Sequence, residues 1–101
     1  MKYNIEILIS ANADFFEICE TLKEYGENPT AVFMDSFTKF LDNVTTMPLM
    51  FPQYSRKPIY RKAPLAYDYL VFYKVAKADK KNSTVKIYRI LHGKQNIADL
   101  L

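Results

Sequence analysis

The segment YDYLVFYKV at residues 67–75 places the strongest constraint on the fold, because it is apolar on both of its alternating faces. One face consists of Tyr69, Val71 and Tyr73, and the other consists of Leu70 and Phe72. A strand that buries both faces needs neighbouring strands and a cover on each side. We therefore predict a central strand that is covered by helices on one side and partly covered on the other.

Three further segments supply the other strands of this sheet. IYRKA at 59–63 and TVKIYRILH at 84–92 are rich in β-branched and aromatic residues, and the polar stretch 76–83 connects the second of these to the central strand. Residues 3–9, YNIEILI, alternate between polar and apolar, which predicts a strand with one face in the core. That face carries Tyr3, Ile5, Ile7 and Ile9.

Two amphipathic helices separate the first strand from the rest. Residues 12–25 form the first, with Ser10 or Asn12 as its cap and Asp14 and Glu17 in or near its first turn, where the helix dipole favours anions. Its apolar positions are Phe15, Ile18, Leu22 and Tyr25, and it ends at Gly26.

The second helix begins at Asn28 and Pro29 and runs to about residue 45. Its apolar stripe consists of Phe33, Phe37, Phe40, Leu41 and Val44. A loop with three prolines follows at 47–58, and residues 96–101 add a closing helical turn. The predicted fold is a single α+β domain over residues 1–101, with element order β-α-α-β-β-β. It has a small antiparallel or mixed sheet that carries the helical hairpin on one face.

Composition excludes several classes of protein. Half of the residues are hydrophobic and 15% are aromatic, so the chain buries enough apolar surface to fold. No apolar run reaches the roughly 18 residues of a membrane span, and the N-terminus does not resemble a signal peptide. One cysteine and one histidine provide neither an internal disulfide nor a metal-ligand set. We expect a cytoplasmic protein without metal or cofactor.

Charge is divided unevenly along the chain. Residues 1–50 carry three lysines against eight carboxylates, a net −5, whereas residues 51–101 carry eleven cations against three carboxylates, a net +8. This asymmetry indicates an anionic partner for the second half, unless acidic helices simply neutralise a basic sheet within the molecule.

The second half also interleaves its cations with aromatic residues. Cations that meet phosphates, beside rings that stack on bases, are typical of an RNA-facing sheet, although ordinary solvated sheets also have this composition. The cations are Arg56, Lys57, Arg61, Lys62, Lys74, Lys86, Arg89 and Lys94, together with His92, and the rings are Tyr60, Tyr67, Tyr69, Tyr73 and Tyr88.

His92 and Arg89 each have a chemical and a structural interpretation. His92 could transfer protons, but a single histidine at a strand end is more often packed and bonded to nearby backbone. Arg89 is in phase with Val85, Ile87 and Leu91, so we expect a half-buried stem and a guanidinium that pairs with a carboxylate or with carbonyls.

The residues together resemble the RelE/ParE superfamily of toxins from bacterial type II toxin–antitoxin modules, and in particular its ParE-like branch. The resemblance covers nearly the whole chain. It rests on the helix start around Ala11 to Phe15, on YRKAP with Arg61, and most specifically on RILHGK at 89–94. It implies a compact sheet with the hairpin on one face and an antitoxin whose C-terminal segment wraps the toxin.

The resemblance implies one of two targets. RelE-like members cut mRNA on the ribosome with cationic residues and often a C-terminal tyrosine, whereas ParE-like members poison DNA gyrase. This chain has Leu70 and Gln95 where RelE-like nucleases have arginines, and Gly93 where YoeB-like nucleases have a tyrosine after the histidine. We therefore expect a non-catalytic gyrase inhibitor with no catalytic residues.

Two alternatives remain open from the sequence. One is a ribosome-dependent endoribonuclease, whose minimal site would be Arg61, Arg89 and His92. The other is a basic RNA- or protein-binding domain without toxicity. For a toxin, the expected partners are a cognate antitoxin and either gyrase or the ribosome with its mRNA. The expected target-binding residues are Arg61, Lys62, Tyr73, Arg89, His92 and Lys94.

Overall fold

The computed structural model describes residues 3–77 and 83–101, which form one α+β unit. In chain order its elements are β1 (Asn4–Ile7), α1 (Ile9–Lys23), α2 (Glu27–Thr46), β2 (Arg61–Pro64), β3 (Tyr69–Lys77), β4 (Ser83–His92) and α3 (Ile97–Leu100). The four strands form one sheet in the order β1-β4-β3-β2. β1 pairs with β4 in parallel, and the other two pairings are antiparallel. The predicted fold class and element order are confirmed, including the closing helical turn.

The connection between β3 and β4 is shorter than predicted. Lys77 pairs with Ser83, so both strands extend into the stretch 76–83 that we expected to be a polar link. The rest of that link, residues 78–82, lies outside the described residues.

The start of α1 differs from the sequence prediction. The helix begins at Ile9 rather than near residue 12, and Leu8 occupies the cap position without a side-chain hydrogen bond. The Leu8 N–H still donates to the Ile87 carbonyl, so the chain passes directly from strand pairing into the helix. The predicted capping roles of Ser10 and Asn12 are therefore wrong, and no carboxylate lies in the first turn. The helical pattern alone could not locate a start that is set by pairing with β4.

The helices pack on one face of the sheet, as expected. Phe33, Phe37, Phe40 and Val44 of α2 are buried and form one core with Ile18 and Leu22 of α1 and with Val71, Tyr73, Val85 and Ile87 of the sheet. Gly26 makes the tight link between the helices possible, because its φ of 113° is one that residues with a side chain rarely adopt. The prediction that Ile7, Ile9 and Tyr25 face the core is wrong, because these residues near the ends of β1 and α1 are exposed.

The opposite face of the sheet carries a second, smaller core. Phe72, Leu91 and Tyr60 are buried there, with Tyr54 and Tyr88 packed against them. The loop before β2 and the C-terminal residues Ile97 and Leu101 supply the cover. Phe72 thus confirms that β3 buries both of its faces. We call the face of the sheet that carries Phe72 the second face and the opposite one the helix face.

A β-bulge changes the phase of β4. Tyr73 lies opposite Ile87 while Phe72 lies opposite Arg89, so Tyr88 is the extra residue on β4. Residues directly opposite each other share a face of the sheet, and Arg89 therefore lies on the second face. The prediction that Arg89 is in phase with Val85 and Ile87 is wrong, because strict alternation does not anticipate a bulge.

The hairpin between β2 and β3 is built on two residues with positive φ. Tyr67 and Asp68 have φ of 59° and 63°, although neither is glycine. The Leu65 N–H donates to the Tyr69 carbonyl, and the Gly93 N–H donates to the Asp68 carbonyl, which holds the turn against the end of β4. The strand that we predicted from residue 67 consequently begins at Tyr69.

Within the described residues, none of the helices has the length and apolarity needed to cross a membrane.

Candidate functional site at the end of β4

The far end of β4 is organised around an ion pair between Arg89 and Asp14. The Arg89 Nε and Nη2 groups donate to the two carboxylate oxygens of Asp14 at 2.7 and 3.0 Å. The Ile90 backbone N–H donates to the same carboxylate at 3.0 Å. The Asp14 side chain is only 12% exposed and the Arg89 side chain 26%. This geometry makes a bidentate, largely desolvated pair of the strong kind.

Asp14 also provides an acceptor for a backbone N–H of β4 that has no neighbouring strand. β1 pairs with β4 only as far as Ile87, so the next residues of β4 form a strand edge beside α1. On that edge Ser10 Oγ donates to the Tyr88 carbonyl at 2.8 Å, and Asp14 accepts from Ile90. Ser10 and Asp14 are four residues apart and therefore lie on the same side of α1. Together they satisfy an edge that would otherwise need another strand.

Arg89 additionally connects β4 to the C-terminus. Its Nη1 group donates to the Leu100 carbonyl of α3 at 3.0 Å. The hydrogen bonds that Arg89 donates to Asp14 raise the pKa of Arg89 above its ordinary value, against the opposing effect of burial. Arg89 thus joins α1, β4 and α3, which is the structural role that its half-buried position suggested from sequence.

His92 is packed and bonded to local backbone. Its Nδ1 atom accepts a hydrogen bond from the Lys94 backbone N–H at 3.1 Å, which places the proton of the neutral ring on Nε2. The His92 backbone N–H donates to Gln95 Oε1. The His92 ring packs edge-on against the Tyr69 ring, with the two ring centres 5.0 Å apart. The hydrogen bond to Nδ1 therefore stabilises the turn that follows β4.

Two clefts meet at His92 and Tyr69. The first has a volume of about 280 Å³ and lies between α1 and β4, and the side chains that line it include Asp14, Glu17, Tyr69, Arg89, His92 and Gln95. The second, of about 290 Å³, lies beside the strained hairpin turn and includes Asp68 and Lys94. The structure therefore brings together three of the predicted site residues, Arg89, His92 and Lys94.

Arg61 lies apart from this group. It is opposite Tyr73 in the β2–β3 pairing and so belongs to the helix face, whereas Arg89 belongs to the second face. His92 is opposite Tyr69, four residues along β3 from Tyr73, which corresponds to roughly 13 Å. The Arg61 Nη1 group donates to the Phe51 carbonyl at 2.7 Å and to the Leu49 carbonyl at 3.4 Å. Arg61 therefore fastens the loop before β2.

The second face carries a row of cations. Phe72 of β3 pairs with Lys62 of β2 on one side and with Arg89 of β4 on the other. Two residues further along β3, Lys74 pairs with Lys86 of β4. The Lys74 ammonium lies 4.8 Å from the centre of the Tyr60 ring and 4.6 Å from that of Tyr88. These rings stabilise the charge of Lys74 beside that of Lys86.

Tyr73 does not reach any surface. It is fully buried, and its hydroxyl donates to the Pro48 carbonyl at 2.7 Å. Direct contact with a partner, which the sequence led us to expect, does not fit this position. Its ring packs against Phe40 and Phe51 and joins the loop before β2 to the helix-face core.

Sequence reasoning missed Asp14 as the partner of Arg89. The sequence pattern starts the helix near residue 12 instead of at Ile9, and it therefore associates Asp14 with the helix dipole. The available signal was the spacing of Ser10 and Asp14, two polar side chains one helical turn apart on a helix that follows an edge-forming strand.

Comparison with known proteins agrees with this architecture. A family model described as the ParE toxin of the type II toxin–antitoxin system parDE matches residues 5–97. No curated protein is significantly similar to the chain in sequence.

Solved toxin structures share the fold at low sequence identity. A chain of the chromosomal ParDE system from P. aeruginosa has a TM-score of 0.72 and 14% identity, covering 90% of this chain and 96% of that one. A mutant of the E. coli toxin RelE in the free state has a TM-score of 0.65 and 16% identity, covering 99% and 93%. A YoeB/ParE toxin from Agrobacterium tumefaciens has a TM-score of 0.62 and 10% identity, covering 88% and 97%.

Proposed function

The chain belongs to the ParE toxin family of type II toxin–antitoxin systems, and from this membership we propose that it inhibits DNA gyrase without catalysing a reaction and is neutralised by a cognate antitoxin. The match of the ParE family model over residues 5–97 carries the proposal. A toxin with this target acts in the cytoplasm, in agreement with the composition of the chain.

The arrangement of the three nuclease candidates supports a non-catalytic mode of action. Cleavage of RNA through its 2′-hydroxyl needs a base, an acid and a cation around one phosphate. Here Arg61 lies roughly 13 Å along the sheet from His92 and binds carbonyls of the loop before β2, and the Arg89 guanidinium is already neutralised by Asp14. Neither arginine is therefore free to stabilise phosphate charge beside His92.

For the target-binding surface we propose the second face and its continuation past β4. Lys62 lies on this face, and Lys94 is exposed in the turn past the end of β4, where its N–H donates to the Nδ1 atom of His92. Of the six residues proposed from sequence, Lys62 and Lys94 are the two that we place in direct contact with the target. The other four hold the structure: Tyr73 packs in the core, Arg61 fastens the loop before β2, Arg89 pairs with Asp14, and His92 shapes the turn that carries Lys94. An acidic surface on the target protein is complementary to these two lysines.

A cell-based experiment tests the proposal. The chain is expressed without antitoxin, and growth, the DNA-damage response and mRNA integrity are followed together. We expect growth arrest with an induced damage response and intact mRNA. Cuts in mRNA at codon positions would contradict the gyrase target, and unhindered growth with folded protein would leave only the non-toxic binding domain.

Ribosome-dependent mRNA cleavage remains the second candidate, because one cleft contains both Arg89 and His92. The substitution His92→Gln separates the two functions. A gyrase inhibitor keeps its growth-inhibitory potency within about threefold, because glutamine still offers a hydrogen-bond acceptor near the Lys94 N–H. A nuclease that uses His92 for proton transfer loses activity by roughly 10²- to 10⁴-fold. The measurement is the inducer concentration that halves the growth rate, compared at equal amounts of soluble toxin.

A further inference from the structure

The loop between α2 and β2 exposes a cluster of large hydrophobic side chains that the proposed target surface does not use. Leu49 is 58% exposed and Ile59 is 67% exposed, and Met47 and Met50 are also exposed. We call these four residues the loop patch. Leu49 and Ile59 line one open cleft of about 420 Å³ together with Val75 and Arg61. Apolar side chains grouped in this way on a small protein mark a contact surface.

The loop patch is held in a fixed conformation, although it has no regular secondary structure. Arg61 binds the Leu49 and Phe51 carbonyls, and the Tyr73 hydroxyl binds the Pro48 carbonyl. Within the loop the Tyr54 N–H donates to the Tyr60 carbonyl at 2.8 Å. A surface that is already ordered loses little conformational entropy when a partner binds.

Charge specifies the chemistry of that partner. Residues 43–67 contain four cations and no carboxylate. These cations are Arg56, Lys57, Arg61 and Lys62. Among the described residues that line the cleft, Arg61 is charged and none is a carboxylate. An apolar patch in a basic loop is complementary to an amphipathic segment with apolar anchors and acidic flanks. A second copy of this chain fits poorly, because a two-fold contact would bring the same cations face to face.

We infer that the loop patch binds an acidic amphipathic segment of the cognate antitoxin. Permanent complexes bury more apolar surface than transient ones, and exposed methionine, leucine and isoleucine side chains favour aggregation when they are left uncovered. In the proposed function, on which this inference rests, the antitoxin neutralises the toxin by staying bound to it. Met47 and Met50 of the loop patch favour such a contact, because flexible methionine side chains adapt to the shape of a partner.

The test uses the full-length toxin with its cognate antitoxin and the double substitution Leu49→Glu with Ile59→Glu. We expect the affinity for the antitoxin to fall by at least 100-fold, because two apolar anchors are lost and two like charges face an acidic segment. Growth inhibition in the absence of antitoxin stays unchanged. Co-expressed antitoxin no longer rescues cells that carry the variant.

Two matched controls isolate the loop patch and its charge. Ile9→Glu introduces the same residue at another exposed isoleucine, in α1, and leaves antitoxin affinity within threefold. Ile59→Lys removes the same apolar anchor as Ile59→Glu but adds a positive charge, and it binds at least tenfold more tightly than Ile59→Glu. If the double variant lowers the melting temperature, Leu49→Ser with Ile59→Ser takes its place.

The outcomes separate this inference from the proposed function. Unchanged antitoxin affinity in the folded double variant would overturn the inference. Loss of growth inhibition with antitoxin binding retained would also overturn it, because the loop patch would then serve the target. Absence of growth inhibition by the wild-type chain would contradict the proposed function alone, since antitoxin affinity is measured independently with purified proteins.

Discussion

Replacement of Arg89 by alanine is expected to lower the free energy of unfolding by about 3 kcal/mol, near the lower end of the range for removing one partner of a buried ion pair. The substitution leaves the Asp14 carboxylate, which is 12% exposed, with only the Ile90 N–H as partner. It also releases the Leu100 carbonyl and with it the anchor of α3. For a domain of this size the loss corresponds to a melting temperature lower by roughly 15 °C.

A double-mutant cycle separates the ion pair from the rest of the Arg89 environment. Asp14→Ala alone is also destabilising, because it leaves both the guanidinium and the Ile90 N–H without their acceptor. The variant with both substitutions should lose about 1 to 3 kcal/mol less than the sum of the two single variants. The measurement is urea unfolding of the four purified proteins. Additive losses, or an Arg89→Ala loss below about 0.5 kcal/mol, would show that the pair does not hold α1 against β4.

The same variants clarify the role of Arg89 in toxicity. If Arg89 is chiefly structural, growth inhibition by Arg89→Ala falls in proportion to the amount of folded protein. Activity then returns at lower temperature, where the fraction of folded protein is larger. A folded Arg89→Ala protein without activity at low temperature would instead place the guanidinium in direct contact with the target.

The second large effect is expected at Tyr73. Tyr73→Ala removes a fully buried ring that packs against Phe40 and Phe51, and should cost about 3 to 5 kcal/mol. Tyr73→Phe keeps the ring and loses only the hydrogen bond to the Pro48 carbonyl, for about 1 kcal/mol. Thermal unfolding of the two variants measures this difference. If Tyr73→Phe abolished growth inhibition while remaining folded, the assignment of Tyr73 to the core alone would be wrong.

Tyr73 also predicts a dependence of stability on pH. Burial raises the pKa of its hydroxyl above the ordinary value of 10.0. The folded state therefore binds this proton more tightly than the unfolded state does. The associated stability is complete below pH 10 and is lost as the pH rises through the higher pKa of the folded state. Tyr73→Phe should lose less stability than the wild-type protein between neutral pH and the alkaline range.

Much of the fold was accessible from the sequence because several signals agreed. The apolar faces of 67–75 indicated a central strand, and the Phe33–Val44 stripe indicated the helix that covers it. Both follow from simple periodicity and are confirmed. The prediction that Arg89 would find a carboxylate also follows from general physics, since a half-buried guanidinium requires a partner.

The remaining features depend on tertiary structure that periodicity does not encode. The bulge at Tyr88 places Arg89 on the second face, and the early start of α1 makes Asp14 its partner. Tyr67 and Asp68 have positive φ values, but neither is the glycine that usually indicates such a turn in a sequence. The loop patch was predicted only as a loop, because a proline-rich segment gives no indication of which side chains the fold leaves exposed.

The central claim is tested most directly by DNA supercoiling with purified gyrase. The toxin is released from its antitoxin, refolded and added to gyrase and relaxed plasmid, with and without added antitoxin. We predict that the toxin inhibits supercoiling, that the antitoxin restores it, and that His92→Gln inhibits as strongly as the wild-type chain. Full gyrase activity in the presence of folded toxin that arrests growth, together with cleavage of ribosome-bound mRNA by the same preparation, would contradict the account.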